Sequence, residues 1–214
     1  MAHEISNANG RDEAVFALAP AWHGLGTVLD HAPTSAEALQ QAHLDWRVEK
    51  RPLYTTEFGG DQPGREVEVP DYNAIVRSDI GRPLGVVGSK YQIIQNVEAF
   101  DFVDGLLQDG VIRYESAGAL KGGRIVWLLA RKPGDLEVAD GDVTQQYVLF
   151  VNYHDGTGAA RILPTSVRVV CANTLALALN RQSGQVFIRH SGNVQQKLAV
   201  AQQLLGVVGR RFHI

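Results

Sequence analysis

Three pairs of strand-like segments, each pair joined by a short glycine-containing connection, constrain the fold more than any other feature of this sequence. The paired segments are residues 72–78 with 84–87, 112–120 with 124–130, and 147–153 with 159–170. Glycine, proline and aspartate between strand-like runs are typical of the tight connections in antiparallel hairpins. A chain with three such pairs is expected to build much of its core from antiparallel β-structure.

Helical patterns alternate with these hairpins. Thr34 stands three residues before Glu37, a capping-box spacing that predicts the start of a helix, which we expect to end near His43. The other predicted helices are residues 96–107, 171–179 and 193–208, where apolar residues recur at helical spacing. Further strands are predicted for residues 46–54, 65–69 and 186–189.

Antiparallel hairpins with intervening helices favour an α+β fold over a doubly wound parallel sheet. The hairpin, helix and hairpin over residues 73–130 are compatible with a β-β-α-β-β core. The first 13 residues are polar and predict a flexible N-terminal arm. Residues 14–214 are then expected to form a single α+β domain.

The composition excludes several classes of protein. Apolar residues make up 45% of the chain and charged residues 20%, as in ordinary globular proteins. No apolar run approaches the roughly 20 residues of a membrane span, and no secretory signal is recognisable. The single cysteine, Cys171, excludes an internal disulfide bond and fits a reducing compartment, so we expect a cytoplasmic protein. The net charge of −3 argues against a general polyanion binder but allows a local basic groove.

No motif in the sequence predicts catalysis, a metal ion or a cofactor. His154 and Cys171 would form a base and a thiol nucleophile only if the fold brought them together, and a buried, inert thiol is the commoner outcome. Glu66, Glu68 and Asp71 lack the Glu-x-Lys that a metal nuclease needs, and we interpret the glutamates as solvated charges on an edge strand. The seven histidines form no zinc-binding pair, and the glycines match no phosphate-binding fingerprint. We therefore expect a protein that is not an enzyme.

Lysine and arginine residues near turns and strand ends remain as candidates, with tyrosines close to them in sequence. A groove lined by such cations and aromatic rings can hold single-stranded nucleic acid without reading its bases. The predicted phosphate contacts are Lys90, Lys121, Arg124, Arg161 and Arg168, and the predicted stacking partners are Tyr91 and Tyr153. The alternative is that each aromatic ring belongs to the core and each cation is merely solvated.

Three segments are distinctive in combination: residues 22–27 (Trp-His-Gly-Leu-Gly-Thr), 90–96 (Lys-Tyr-Gln-Ile-Ile-Gln-Asn) and 168–175 (Arg-Val-Val-Cys-Ala-Asn-Thr-Leu). In this order they resemble a phage- and plasmid-encoded family with a Leu-Gly-Thr motif, domain-of-unknown-function 932, from about residue 22 to 205. The genomic company of that family implies recombination and the maintenance of mobile elements. The hairpin, helix and hairpin are also similar to the core of Rad52-like single-strand annealing proteins, which hold single strands in a basic groove.

The motif residues have structural interpretations of their own. Gly24 and Gly26 allow a tight backbone that a side chain would block. Trp22 is expected to anchor the core, and Asn96 to cap the helix that follows it. Asn173 is expected to cap a helix or to bind the backbone where a strand changes to a helix.

Two functions remain open from the sequence. The first is a non-enzymatic protein of a phage or plasmid that binds single-stranded DNA, forms homo-oligomers and acts in annealing or recombination. It predicts oligonucleotide binding that weakens with salt. The second is a protein-interaction module of a mobile element, such as an inhibitor of host defence, which would contact its partner through an exposed apolar or acidic patch.

Overall fold

The structure is a computed structural model that describes residues 3–60, 63–106, 113–131, 136–139, 142–180 and 184–211. The helices are α1 (Ser35–Gln41), α2 (Asn96–Leu106), α3 (Ala172–Asn180) and α4 (Val194–Arg211). The strands are β1 (Asn7–Ala8), β2 (Arg11–Asp12), β3 (Ala14–Ala17), β4 (Thr27–Leu29), β5 (Val48–Glu57), β6 (Arg65–Arg77), β7 (Pro83–Gly88), β8 (Arg113–Leu120), β9 (Ile125–Arg131), β10 (Leu136–Ala139), β11 (Asp142–Thr144), β12 (Tyr147–Tyr153), β13 (Ala160–Thr165) and β14 (Val186–Ile188). The α+β fold is confirmed. No helix among the described residues is long and apolar enough to cross a membrane.

Seven strands form the larger sheet, in the order β14-β13-β12-β9-β8-β3-β4. The second and third predicted hairpins, β8–β9 and β12–β13, are confirmed, although β13 ends at Thr165 and not at residue 170. They lie side by side because β9 also pairs with β12. Every neighbouring pair is antiparallel except β3 and β4. The predicted start of the second hairpin at Ile112 lies outside the described residues.

The first predicted hairpin forms a separate three-stranded sheet in the order β5-β6-β7. The predicted strand 65–69 is continuous with residues 72–77, so β6 is one long strand. β7 pairs only with the inner part of β6, from Tyr72 to Val76. Beyond Tyr72, β5 and β6 form a two-stranded ribbon that we call the arm (residues 53–60 and 63–69).

The hairpins on either side of α2 belong to different sheets, because β6–β7 lies in the smaller sheet and β8–β9 in the larger one. The β-β-α-β-β order therefore exists along the chain but does not form one sheet. A hairpin turn fixes which strand pairs with its neighbour, whereas the position of the hairpin in a sheet depends on contacts far along the chain.

Alternation along the strands of the larger sheet separates the core into two clusters, one on each face. The first face carries Val15, Ala117, Val126, Leu128, Phe150 and Ile162, and is covered by α1, α2, α4 and the smaller sheet. The second face carries Phe16, Trp127, Leu129, Leu149, Val151 and Leu163, and is covered by α3 and parts of the first 25 residues.

Thr34 caps α1 as predicted, since its hydroxyl accepts a hydrogen bond from the backbone N–H of Glu37 at 3.3 Å. Asn96 is the first residue of α2 and does not cap it. The N–H of Gln95 donates instead to the Glu98 carboxylate at 2.7 Å, the reverse half of a capping box.

Asn173 also differs from the prediction, because it is exposed and the Thr174 hydroxyl does the capping at α3. That hydroxyl accepts hydrogen bonds from the N–H groups of Val170 (2.9 Å) and Cys171 (3.0 Å). Threonine and asparagine are both common at helix starts, so the sequence alone does not decide between them.

Residues 3–13 differ from the flexible arm that their polar composition predicts. β1 and β2 pair with each other, and Ile5 forms a bridge with Leu120 at the end of β8. Glu13 is fully buried against Arg77 of β6. The segment is ordered by partners more than 60 residues away, which composition cannot reveal.

Candidate functional site

The β14 edge of the larger sheet carries exposed aromatic and basic side chains. On the second face, Trp127, Val151, Arg161 and Phe187 are successive partners across β9, β12, β13 and β14. The row begins with the buried Trp127 and ends at the edge with Phe187, whose side chain is 57% exposed. The buried second face thus continues into an aromatic surface at β14.

The Arg161 guanidinium lies between two aromatic rings. Its central carbon is 5.3 Å from the ring centroid of Phe187 and 5.7 Å from that of Tyr153. Both distances allow a cation–π interaction. The Nε atom of Arg161 is buried and has no hydrogen-bond partner among the described residues, so the guanidinium is held by its contacts with the two rings.

Tyr153 remains a neutral phenol at physiological pH. Burial raises its pKa, and the nearby Arg161 charge offsets that rise only in part. Gly158 lies against the face of this ring, where an added Cβ would be 3.0 Å from a ring carbon. The ring is therefore fixed between Arg161 and the β12–β13 connection.

Tyr91 lies beside this surface but is not a free stacking platform. Its ring stacks on His190 at 4.7 Å with an interplanar angle of 13°, and its hydroxyl donates to the carbonyl of Tyr153 at 2.9 Å. Burial raises the pKa of Tyr91, which therefore stays protonated. Tyr91 connects the segment after β7 to the end of β12.

Two exposed cations belong to the neighbouring segments. Arg189 follows Phe187 by two residues, and Lys90 precedes Tyr91, which bridges to Ser191. We define the edge surface as Lys90, Tyr153, Arg161, Phe187 and Arg189. The nearby Asp155 carboxylate accepts hydrogen bonds from the N–H (3.0 Å) and hydroxyl (2.6 Å) of Thr157, so its charge is partly satisfied locally.

The other predicted phosphate contacts lie elsewhere. Arg168 is structural, because it donates to the Glu115 carboxylate at 2.5 Å and to the carbonyls of Ala17 (3.2 Å) and Ala19 (2.7 Å). Lys121 lies 3.5 Å from the Glu4 carboxylate. These interactions join distant segments and could not be read from the spacing of charges.

Arg124 is exposed just before β9, and its carbonyl accepts a hydrogen bond from the N–H of His154 at 2.8 Å. This places it at the end of the strand next to Tyr153. Phe187 and Arg189 are the residues that the sequence analysis missed. The strand 186–189 was predicted, and an aromatic residue on a short strand was the available signal.

His154 and Cys171 do not meet. His154 packs against the Trp46 ring, at 5.4 Å between centroids, on the first face of the sheet, whereas Cys171 is buried in the second cluster. Burial lowers the pKa of His154 to about 3. Burial alone would raise the pKa of Cys171, but hydrogen bonds from Thr174 outweigh it and lower the pKa. The structure therefore excludes a catalytic base–thiol pair formed by His154 and Cys171.

The residues of the first motif are in part structural. The His23 imidazole hydrogen-bonds to the carbonyl of Val170 at 3.0 Å, which joins the first and third motifs. Gly24 and Gly26 have φ of 68° and 87°, as their tight-backbone interpretation predicts. Trp22 is 68% exposed, so its interpretation as a core anchor is wrong.

A second polar site lies where the smaller sheet meets the N-terminal segment. The buried Arg77 guanidinium donates two hydrogen bonds to Glu13 (2.6 and 2.9 Å) and two to Asp79 (2.6 and 3.0 Å). Its carbon also lies 4.1 Å from the centroid of the Trp46 ring. A cleft of about 460 Å³ opens above this group, lined also by His43. Because Arg77 is committed to two carboxylates, we assign it a structural role.

Within the described ranges, no three His, Cys, Asp or Glu side chains are grouped so that they could hold a metal ion. Glu66 and Glu68 lie on the arm, exposed to solvent.

The structure is that of an α+β protein with an exposed aromatic ring and exposed basic residues at the β14 edge of its larger sheet. The chain belongs to the family described as Domain of unknown function (DUF932), whose model matches residues 83–213. The matched region contains β7 to α4, including all five residues of the edge surface, and starts after the first motif and the arm. No curated protein and no solved structure gives a significant match to the chain.

Proposed function

We propose that the protein binds single-stranded nucleic acid on the edge surface. The observation that carries the proposal is the Arg161 guanidinium held against Tyr153 and the exposed ring of Phe187. An exposed ring offers a face on which any base can stack, and adjacent guanidinium groups bind the phosphates between bases. Neither contact reads the identity of the base, so we expect little sequence preference.

The position of the surface supports a single strand rather than a duplex. β14 is the outermost strand of its sheet, and Phe187 projects from it with its ring partly in solvent. A base can stack on this ring only when it is unpaired from a complementary strand or flipped out. Arg189 and Lys90 are exposed on the segments next to the aromatic pair, and we assign contacts with the sugar-phosphate backbone to them.

The experiment is fluorescence anisotropy of a labelled oligo-dT at about 50 mM salt, where phosphate contacts are strong. Phe187→Ala should weaken binding about tenfold, since a stacked base contributes about 1–3 kcal/mol. Leu177→Ala is the matched control, because Leu177 is a large apolar side chain of similar exposure (51%) on α3. It should bind as the wild-type protein does.

Arg189→Gln removes a phosphate contact and should reduce the slope of log K against log salt by about 0.7 for a single strand. Absence of binding at low salt, or equal binding by the wild-type and Phe187→Ala proteins, would refute the proposal. The protein-interaction function would then be the better hypothesis.

A further inference from the structure

The arm is an exposed ribbon with no core of its own. Among the described residues between Val48 and Ile75, none is buried. Tyr54 is 55% exposed and Phe58, at the tip, is 77% exposed. An isolated two-stranded hairpin is marginally stable in water, and exposed aromatic rings on it are a feature of contact surfaces.

Each of the two strands carries a proline where the arm joins the smaller sheet. Pro52 lies in β5 and Pro70 lies in β6, and both are exposed. Proline has no N–H to donate and is one of the devices that keep edge strands from pairing with other chains. We therefore expect the arm to make contact through its side chains and not by adding a strand.

The two faces of the arm differ in charge. On one face Tyr54 lies opposite Glu68, and Thr56 lies opposite Glu66. These glutamates have no ion-pair partner among the described residues. On the other face Glu57 and Arg65 lie opposite each other and form an ion pair at 2.9 Å. Unbalanced negative charge beside an aromatic ring thus occurs on the Tyr54 face.

We propose that the Tyr54 face of the arm of one copy docks on the edge surface of a second copy. The two surfaces are opposite in charge, since Glu66 and Glu68 would face Arg161, Arg189 and Lys90. Tyr54 would then pack against the exposed Phe187 ring.

The contact joins two different surfaces, so it is head-to-tail and produces a ring or a filament instead of a closed two-fold dimer. The arm alone supplies fewer residues than the roughly 20–30 per partner of a standard interface. The association is therefore weak and sensitive to salt. It goes beyond the proposed function, because it does not require the edge surface to bind nucleic acid.

The test is sedimentation velocity without nucleic acid, from about 10 to 200 µM protein, the range in which small interfaces associate. Wild-type protein should associate with concentration. The double variant Glu66→Lys with Glu68→Lys should remain a monomer, as should Lys90→Glu with Arg189→Glu. A mixture of the two double variants should associate again, because each then offers a surface complementary to the other.

Two controls separate this contact from general charge effects and from the proposed function. Asp45→Lys with Glu49→Lys makes the same change of net charge at exposed residues outside the arm and should associate as wild type does. The arm variant should still bind oligo-dT if the edge surface binds nucleic acid. A wild-type protein that is monomeric at 200 µM, or a mixture that stays monomeric, would overturn the docking proposal without touching nucleic-acid binding.

Discussion

The stability of this protein should fall in mild acid, because His154 is held neutral in the folded state and takes up a proton when the chain unfolds. Asn96 uses its Nδ2 to donate to the carbonyl of Leu44 at 2.9 Å, which leaves its Oδ1 as the acceptor for His154 Nε2–H, also at 2.9 Å. The ring is thus held neutral, and burial, helped by the nearby His190 and Arg77 charges, lowers its pKa to about 3. The perturbation that tests this is His154→Gln, which keeps an N–H donor but does not titrate.

The direction of the change in stability with pH follows from proton linkage. The unfolded chain has an ordinary histidine with a pKa of about 6.5, so between about pH 6.5 and 3 the unfolded state binds a proton that the folded state does not. The contribution of neutral His154 to the free energy of unfolding is fully present above about pH 6.5. It is lost as the pH falls, by about 1.4 kcal/mol per pH unit. From pH 7.5 to 5.0 the loss amounts to about 2 kcal/mol. Any native pKa below about 4 gives nearly the same figure.

The assay is urea unfolding at pH 7.5 and 5.0, followed by the fluorescence of the buried Trp46 and Trp127. The wild-type protein should lose about 2 kcal/mol more than His154→Gln over this interval. Other groups that titrate, such as His190 and Glu13, are present in both proteins and cancel in the difference.

His31→Gln is the control with the opposite sign. His31 is exposed, and hydrogen bonds to Asp30 and Glu37 raise its pKa, so its contribution to stability is present at low pH and is lost as the pH rises. Parallel losses in the wild-type and His154→Gln proteins would show that His154 is not held neutral, and would contradict its buried contact with Asn96.

Two further predictions concern packing and buried charge. Glu13→Gln leaves the buried Arg77 guanidinium with one carboxylate in place of two and should lower the free energy of unfolding in urea by about 3 kcal/mol. The control Glu57→Gln breaks an exposed ion pair and should lower it by less than about 1 kcal/mol. Equal losses in the two variants would contradict the buried network around Arg77. Gly118→Ala should lower the free energy of unfolding, measured by heat or urea, by about 1–3 kcal/mol, because the added Cβ would overlap the Trp127 ring and lie 2.8 Å from the carbonyl oxygen of Glu13. The control Gly59→Ala adds a Cβ in open space and should leave the stability nearly unchanged. An unchanged stability of Gly118→Ala would mean that Trp127 is not packed as described.

Local features of the fold were predictable from the sequence because their causes are local. The three hairpins follow from alternation and turn residues, and the start of α1 follows from the spacing of Thr34 and Glu37. What could not be predicted was pairing between distant segments. Glu13 meets Arg77 across 64 residues, and this contact orders a segment whose composition alone suggests disorder.

The candidate site shows the same division. Tyr153 and Arg161 were predicted to be near a turn, and the β12–β13 hairpin brings them together. Phe187 joins them only because β14 pairs with β13 in a register that puts Phe187 opposite Arg161. Arg168 looked equivalent to Arg161 in sequence, yet its partner Glu115 lies on β8, which removes it from the surface. Spacing of charges along a chain therefore cannot separate structural cations from available ones.

The net charge of −3 argues against a general polyanion binder. The distribution of charge in the fold weakens this objection. Glu13, Asp79 and Glu115 neutralise buried or half-buried arginines, and Glu66 and Glu68 lie on the arm. A Debye length is about 8 Å at physiological salt, so distant acidic groups have little effect on a phosphate at Arg161 or Arg189. Net charge averages over separations that the solvent screens, and the local balance at the edge surface is positive. The same separation gives the chain an acidic arm and a basic edge, which is the condition for copies to compete with nucleic acid for one surface.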